Sequence, residues 1–330
     1  MTRAAVRANL VQLERVMVIS STEPRWALIL AGGDGRRLRP LTRQIVGDDR
    51  PKQFCPVLGG ESLLEQTRRR VATFAPAERV LIVLVDAHER FYAPLLTDVL
   101  PRCLVIQPEN RGTAPAILYG LLRLTTMTPV APVALFPSDH YVSDDRAFIA
   151  HVEAAAEAVR ARPDLVVLLG ITPDTAEVGY GWIEPGDPLT DLGLWSLYRV
   201  LDFWEKPSAV LGEALRARGC LWNSFVIVAY PSTLIALYRR ALPSLVDEFL
   251  RIRHALTTTG ESASLRQLYA YLPSLDFSHN VLASRPPGLA VLPVTGVAWC
   301  DLGEPGRVAA ARACLSAAAA QPGRGGLMSA

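Results

Sequence analysis

Short apolar runs alternate with longer amphipathic stretches along this chain. The apolar runs predict strands at 26–31, 80–85, 103–106, 133–136, 165–169 and 225–229. The amphipathic stretches between them predict helices at 63–74, 114–124 and 148–162, the first opened by the capping-box pair Ser62 and Glu65. Because strands and helices alternate, we predict an α/β fold: a Rossmann-like, mostly parallel mixed sheet with helices on both faces.

The chain shows no internal repeat and no linker between domains. We therefore predict one folded region at 24–312, preceded by an N-terminal extension at 1–23 and followed by a flexible tail at 313–330. The folded region divides into a first half, about 24–136, and a second half, about 137–312. Charged residues adjoin the only short apolar run of the extension, so it is not predicted to be a signal peptide.

Composition narrows the class of partner. The net charge is +2, with 34 Lys plus Arg against 32 Asp plus Glu, which argues against nucleic acid or an anionic membrane as the main partner. Small-molecule substrates are expected, and a homo-oligomer is left open. The five cysteines form no metal-ligand pair and no disulfide framework, which is typical of a reducing, cytoplasmic compartment.

A glycine-rich loop directly follows the first apolar run. In the stretch Gly32-Gly33-Asp34-Gly35, the glycines allow positive φ and let backbone N–H groups approach an anion. Arg37 lies just beyond the loop and supplies a cation for phosphate oxygens. The pattern predicts a nucleotide-phosphate site, which makes 24–136 the nucleotide-binding half.

The chain contains only two lysines, Lys52 and Lys206. An ammonium is a compact point charge, whereas guanidinium is a planar fork, so a chain that otherwise uses Arg has kept a different chemistry at two positions. The alternative is an Arg-rich composition in which two lysines remain by chance.

Two motifs at this end of the chain resemble a known family. Gly32-Gly-Asp-Gly-Arg-Arg-Leu-Arg-Pro40 and Pro51-Lys-Gln-Phe54 are similar to the signature of the sugar-1-phosphate nucleotidyltransferases, and most like that of the mannose-1-phosphate guanylyltransferases. The resemblance implies the nucleotide-diphospho-sugar transferase fold, with 137–312 as the sugar-phosphate half. Arg36 stands where that family usually has a hydroxyl residue, and it either points outward or adds a phosphate contact.

The implied reaction is attack of a sugar 1-phosphate oxygen on the α-phosphorus of a nucleoside triphosphate. The attacking phosphate monoester, with a second pKa of about 6, is already anionic at neutral pH, so no general base is needed. By resemblance, Arg37, Lys52 and Lys206 are the catalytic cations, which position and neutralise the phosphates.

For the base, the stretch 107–116 resembles the family segment that lies against the purine. It makes Gln107, Glu109, Arg111 and Thr113 nucleotide-binding candidates together with Gly32, Gly33, Asp34 and Gly35. Either Glu109 or a backbone carbonyl would accept from the N–H groups of guanine. A helix N-cap at Thr113 explains part of the motif without any ligand.

For the metal, Asp139 and Asp301 resemble the two aspartates that hold Mg²⁺ in the family. Magnesium uses one or two carboxylates and fills its octahedron with water and phosphate oxygens. Taken alone, each aspartate also fits a turn or capping residue. His140 is interpreted as a hydrogen-bonded neighbour rather than a ligand.

For the sugar, three segments match by resemblance. They supply the candidates Glu177, Gly179, Gly181, Glu205 and Asn223, with Lys206 gripping the sugar phosphate. Phe225 takes the place of a glycine in the third segment. Asp276 is interpreted as either a turn residue or a site residue.

The resemblance as a whole implies transfer of a guanylyl group from GTP to mannose 1-phosphate, giving GDP-mannose and pyrophosphate. Two alternatives remain open: the same chemistry on another nucleotide or sugar 1-phosphate, and a non-catalytic nucleotide-sugar sensor on the same fold.

Overall fold

The computed structural model describes residues 24–127, 130–189 and 196–319. The predicted extension at 1–23 lies outside these ranges. The strands are β1 (Trp26–Leu30), β2 (Val80–Val85), β3 (Leu104–Gln107), β4 (Val133–Pro137), β5 (Tyr141–Val142), β6 (Val166–Ile171), β7 (Gly181–Pro188), β8 (Tyr198–Glu205), β9 (Leu221–Ala229), β10 (Leu289–Val294) and β11 (Trp299–Cys300).

The α-helices are α1 (Arg39–Val46), α2 (Leu63–Val71), α3 (Glu89–Tyr92), α4 (Thr113–Met127), α5 (Asp145–Ala161), α6 (Ala209–Ala217), α7 (Pro231–Ala241), α8 (Pro243–Arg251), α9 (Glu261–Tyr269), α10 (Phe277–Asn280) and α11 (Pro305–Ala319). The 3-10 turns Arg36–Leu38 and Lys52–Phe54 border the glycine loop. Helix α11 continues to Ala319, so it includes the first residues of the predicted tail at 313–330, and residues 320–330 lie outside the described ranges.

One large mixed sheet carries both halves of the chain, in the order β3-β2-β1-β4-β9-β6-β10-β8-β7. Strands β1 to β4 pair in parallel, as predicted for the first half. Strand β9 is antiparallel to both β4 and β6, and β7 and β8 form an antiparallel pair. The predicted α/β class with a mixed sheet is confirmed, and most of its parallel pairings lie in the first half of the chain.

Helices cover both faces of the sheet. Alternate residues of β1 point to opposite faces, so Ile29 belongs to a buried cluster that includes residues of α2 and α5, whereas Leu28 belongs to one that includes residues of α4, α7, α8 and α9. The predicted capping box is confirmed: the Ser62 hydroxyl accepts from the backbone N–H of Glu65, whose carboxylate accepts from the N–H of Ser62.

The predicted strands do not include β5, β7, β8, β10 and β11. Strand β7 contains Pro185, Gly186 and Pro188 and is partly exposed, so it lacks a continuous apolar run. Its partner β8 alternates exposed and half-buried positions. Within the described ranges no helix is long and apolar enough to cross a membrane.

Candidate active site

A cavity of about 530 Å³ opens at the carboxyl ends of β1, β3 and β4, the edge where ligands bind in open α/β sheets. Its wall draws on both halves of the chain. Of the predicted site residues, the following line it: Gly32, Gly33, Gly35, Arg37, Lys52, Gln107, Thr113, Asp139, Gly179, Gly181, Glu205, Lys206, Asn223 and Asp301. The structure thus gathers in one cavity residues that lie more than 200 positions apart in sequence.

The conformation of the glycine loop is fixed by its backbone and by a neighbouring side chain. Gly35 adopts φ +58°, and a Cβ there would lie 2.9 Å from the backbone nitrogen of Lys52, so only glycine fits. Gln53 holds the loop from behind, because its side-chain amide donates to the carbonyls of Ala31 (3.0 Å) and Gly33 (2.7 Å). Open space surrounds the Cα of Gly33. This leaves Gly33 free to approach a ligand closely.

The two loop arginines stand at the rim of the cavity. The side chain of Arg37 is 63% exposed and lies 3.7 Å from Glu304 at its nearest contact. Arg36 is 79% exposed, lines the cavity, and lies 3.2 Å from Asp34. Such exposed pairs are weak, so both guanidinium groups can reorganise around an anion.

Lys52 is held differently. Its ammonium donates to the carbonyls of Asp301 and Leu302 and lies 3.3 Å from Asp139 Oδ2. An ammonium has three N–H donors, and these three partners account for them. Lys52 lines the cavity. Its hydrogen bonds to the carbonyls of Asp301 and Leu302 connect the segment after β11 to the segment that follows the glycine loop. Its predicted contact with phosphate stays a prediction.

The two candidate metal ligands meet through the small sheet formed by β5 and β11. In that antiparallel pair Cys300 lies opposite Tyr141, so the chain brings Asp301, which follows β11, beside His140 and Asp139, which precede β5. Arg307 donates to Asp301 Oδ1 at 2.8 Å. Burial works to raise the pKa of Asp301, but His140, Lys52 and Arg307 outweigh it and lower that pKa. The carboxylate is therefore kept ionised.

Burial lowers the pKa of His140 to about 4. The imidazole is therefore neutral at pH 7 and packs edge-on against Trp299, with the ring centroids 5.1 Å apart.

The donor set fits magnesium in number and kind. Two carboxylates line one cavity together with the glycine loop, and magnesium is usually held by one or two carboxylates with phosphate and water completing the shell. Across the described ranges, no group of three or more His, Cys, Asp and Glu side chains is arranged as a closed metal cage. The site thus suits a metal that arrives with a phosphate ligand.

Arg307 is the site residue that the sequence did not reveal. It lies on α11 and bridges two predicted residues, contacting Glu177 (2.7 Å) and Asp301 (2.8 Å). Its guanidinium also lies over the Tyr180 ring, 4.5 Å from the centroid. A Cβ on Gly179 would come within 2.6 Å of Arg307, so a side chain there would require the guanidinium to move. No motif marks this arginine, because its partners are brought together only by the fold.

The polar wall of the second half combines Gly181, Glu205 and Asn223. A Cβ on Gly181 would lie 2.9 Å from Glu205 Oε2 and 3.3 Å from the Asn223 Cβ, so the three residues are adjacent. Burial raises the pKa of Glu205, while its neighbour Lys206, 3.2 Å away, counteracts this. Lys206 is 61% exposed and adopts φ +49°. Together they present a carboxylate, an amide and an ammonium to the cavity.

Phe225 adopts φ +61°, a left-handed conformation that is rare for a bulky side chain. This finding explains why the matching motif has glycine at this position, since glycine adopts that conformation without steric cost. Asp276 caps α10 by accepting from the N–H of His279, and it also accepts from the Thr113 hydroxyl at 3.0 Å. It lines the cavity. Both interpretations of Asp276, cap and site residue, therefore describe the same side chain.

Four predicted residues do not line the cavity, and each of them takes part in an ion pair. Asp34 contacts Arg36 and lies 3.6 Å from His88. Glu109 and Arg111 pair with each other at 2.9 Å, with Glu109 59% exposed. Glu177 accepts from the N–H of Gly179 and pairs with Arg307, so it supports the wall from behind.

The side-chain amide of Gln107 makes hydrogen bonds within the protein. It is buried beneath Gly32, where a Cβ would lie 3.1 Å from its Nε2. Its Nε2 donates to the Leu84 carbonyl (3.4 Å), and its Oε1 accepts from the Tyr269 hydroxyl (3.1 Å). Gln107 thereby shapes the floor of the cavity next to the glycine loop.

Comparison with known proteins agrees with this geometry. The family model described as Nucleotidyl transferase matches residues 26–315. The xanthan biosynthesis protein XanB of Xanthomonas campestris pv. campestris (strain B100) is 31% identical over 84% of this chain, and this chain spans 57% of its length. The mannose-1-phosphate guanylyltransferase RfbM of Salmonella typhimurium is 34% identical over 60% of this chain and 40% of its own.

A solved structure gives the same result in three dimensions. The structure of a protein titled mannose-1-phosphate geranyltransferase, from Thermus thermophilus, is 33% identical with a TM-score of 0.73. The match covers 85% of this chain and 77% of that one. The chain thus spans about half the length of the curated relatives named above and most of this solved one.

Proposed function

The chain belongs to the nucleotidyl transferase family, and from this premise we propose that it transfers a guanylyl group from GTP to mannose 1-phosphate, releasing pyrophosphate and forming GDP-mannose. The resemblance seen in the sequence is confirmed at the level of the family. The choice of GTP and of mannose 1-phosphate is supported by similarity to proteins named mannose-1-phosphate guanylyltransferase.

One observation carries the proposal: a single cavity is lined by a phosphate loop, by cations and by a polar wall. The lining includes Gly33, Arg36 and Arg37 from the glycine loop and its border, the carboxylates of Asp139 and Asp301, and Glu205, Lys206 and Asn223 from the second half. A triphosphate bound by the loop and a sugar phosphate bound by the second half would share this one cavity. Such proximity suits displacement at the α-phosphorus.

The residues act by binding and charge neutralisation. The sugar phosphate arrives as an anion and needs no proton removed, so the proposed reaction requires no general base from the cavity wall. Lys206 would hold that phosphate, and Glu205 and Asn223 would accept from and donate to sugar hydroxyls. Arg37 would balance the charge that grows on the departing pyrophosphate, so it would act most strongly in the transition state.

Asp139 and Asp301 would hold a magnesium ion, which when bound supplies positive charge beside the phosphates. Lys52 contacts the first of these carboxylates and Arg307 the second, so both are already positioned by cations. The proposal also places the enzyme in a reducing compartment such as the cytoplasm, since all five cysteines are free thiols.

The experiment is a panel of nucleoside triphosphates against hexose 1-phosphates with magnesium, read as pyrophosphate release. GTP with mannose 1-phosphate should give the highest kcat/KM, and Arg37→Ala should lower kcat with that pair. A preference of more than about tenfold for a pyrimidine triphosphate, about 1.4 kcal/mol in transition-state binding, would exclude the guanylyl assignment. Binding of GDP-mannose without turnover of any pair would favour the sensor.

A further inference from the structure

Strand β9 carries a bulge at the cavity. Its pairing with β6 joins Ile227 to Leu168 and Asn223 to Gly170, so three residues of β9, 224–226, face the single residue Leu169. Bulges of this kind re-aim a side chain and are frequent beside active sites. Phe225 lies at the centre of the bulge.

The side chains of Asn223 and Ser224 make hydrogen bonds to backbone groups in and opposite this bulge. The Ser224 hydroxyl donates to the Leu169 carbonyl at 2.6 Å and accepts from the N–H of Val226 at 3.2 Å. The N–H of Phe225 donates to Asn223 Oδ1 at 3.0 Å. Three hydrogen bonds therefore hold the backbone on both sides of Phe225 in the bulged conformation.

Phe225 lines the cavity, next to the polar wall along the chain and against a buried ring in space. On one side the bulge is joined to Asn223, which adjoins Gly181 and Glu205 in the polar wall. On the other side the ring meets Phe277 edge-on, with the centroids 6.3 Å apart. Phe277 is fully buried and therefore gives the ring a firm backing. Phe225 is the apolar member of this part of the wall.

We propose that Phe225 is a specificity-determining residue, whose ring limits the size of the sugar 1-phosphate that the polar wall accepts. An apolar ring offers no hydrogen bond to a sugar hydroxyl, so its contribution is to occupy volume. The class accepted is an unsubstituted hexose 1-phosphate, and the class excluded is a hexose 1-phosphate with a bulky acylamino substituent. Steric exclusion of the wrong substrate is a common source of specificity.

The inference rests on the proposed function, because it concerns the sugar phosphate that the proposed reaction consumes. The experiment compares the wild type with Phe225→Gly, which removes the ring and suits the left-handed backbone. Phe225→Leu is the matched control, since it keeps an apolar side chain of similar reach. Each protein is assayed with mannose 1-phosphate and with N-acetylglucosamine 1-phosphate, and binding of each sugar phosphate is measured by calorimetry.

The wild type should prefer the unsubstituted sugar by about 100-fold or more in kcat/KM. Phe225→Gly should reduce that ratio at least about tenfold, through a lower KM and tighter binding of the acetylated sugar, while the KM for the triphosphate stays unchanged. Phe225→Leu should keep most of the preference. Thermal melts confirm folding, and Phe225→Asn, which also tolerates the left-handed backbone, carries the test if the glycine variant is unstable.

An unchanged ratio in Phe225→Gly would overturn the inference while leaving the proposed function intact. So would a change confined to the KM for the triphosphate, which would place the ring against the nucleoside. Failure of the wild type to bind or convert any sugar 1-phosphate would instead refute the proposed function, and the inference with it.

Discussion

Arg307 and Asp301 are held together by a hydrogen bond of 2.8 Å between a guanidinium on α11 and a carboxylate that lies in the cavity wall. The same guanidinium reaches Glu177 behind the wall. One side chain therefore sets the positions of a candidate metal ligand and of the segment containing Gly179. Arg307 is a positioning residue.

Removal of this bridge should damage both stability and activity. Arg307→Ala leaves Asp301 and Glu177 without their shared cation, and loss of one partner from a largely buried pair costs about 3 kcal/mol. We expect kcat/KM to fall by about tenfold or more, with a raised magnesium requirement. Denaturant unfolding and magnesium titrations measure the two effects.

The control for this prediction is Arg312→Ala on the same helix. Arg312 donates to the Val57 carbonyl, which is not part of the cavity wall. The Arg312→Ala variant should lose about 1 kcal/mol in free energy of unfolding and keep the wild-type kcat and KM. Equal kinetic losses in the two variants would mean that α11 matters only as a helix.

A second prediction separates two glycines of the site. Gly33→Ala should leave the free energy of unfolding within about 0.5 kcal/mol, because a Cβ there meets nothing within 4 Å. The same methyl group would stand where a phosphate approaches the loop, so the KM for the triphosphate should rise about tenfold.

Gly112→Ala is the opposite case. Gly112 has φ +86°, and its Cβ would lie 2.3 Å from the Leu275 carbonyl oxygen, so the backbone must move. We expect a loss of more than about 2 kcal/mol in denaturant unfolding. Equal losses of stability in Gly33→Ala and Gly112→Ala would contradict the different surroundings described here for the two glycines.

The candidate metal ligands should act as a unit. Asp139→Asn and Asp301→Asn should each lower kcat by about 100-fold and raise the magnesium concentration needed for half-maximal rate. The double variant should cost little more than the worse single one, because the ion is already displaced. The surface variant Asp164→Asn is the control. Additive losses with an unchanged magnesium dependence would show two independent structural aspartates.

His88 should contribute to the pH dependence of the free energy of unfolding. Burial lowers the pKa of this imidazole below the ordinary value of 6.5, although Asp34 works in the opposite direction. The unfolded chain therefore binds a proton first as the pH falls. The contribution of His88 to stability is fully present above pH 6.5 and is lost as the pH falls toward the lowered pKa of the folded state.

Unfolding free energies at pH about 7.5 and about 5.5 test this expectation. His88→Gln should lose less stability than the wild type between the two values, since it removes the titrating group. His254→Gln, at an exposed position, should keep the wild-type difference. A steeper loss in His88→Gln would reverse the sign of the argument.

Local features of this protein were predictable from its sequence, and long-range ones were not. The capping box at Ser62 and the glycine loop depend on residues a few positions apart, so a pattern reveals them. The bridge from Arg307 to Glu177 joins residues 130 positions apart and carries no local signal. The bulge at Phe225 depends on pairing with β6, which a single run of residues does not encode.

The hydrogen bond from Lys52 to the carbonyl of Leu302, 250 positions later in the chain, affects how the cavity forms during biosynthesis. During translation the glycine loop and its neighbouring strands emerge from the ribosome long before the segment that holds the ammonium. Contacts of such large sequence separation form late in folding. A nascent chain therefore holds only part of its cavity lining until β11 and α11 have been synthesised and have docked.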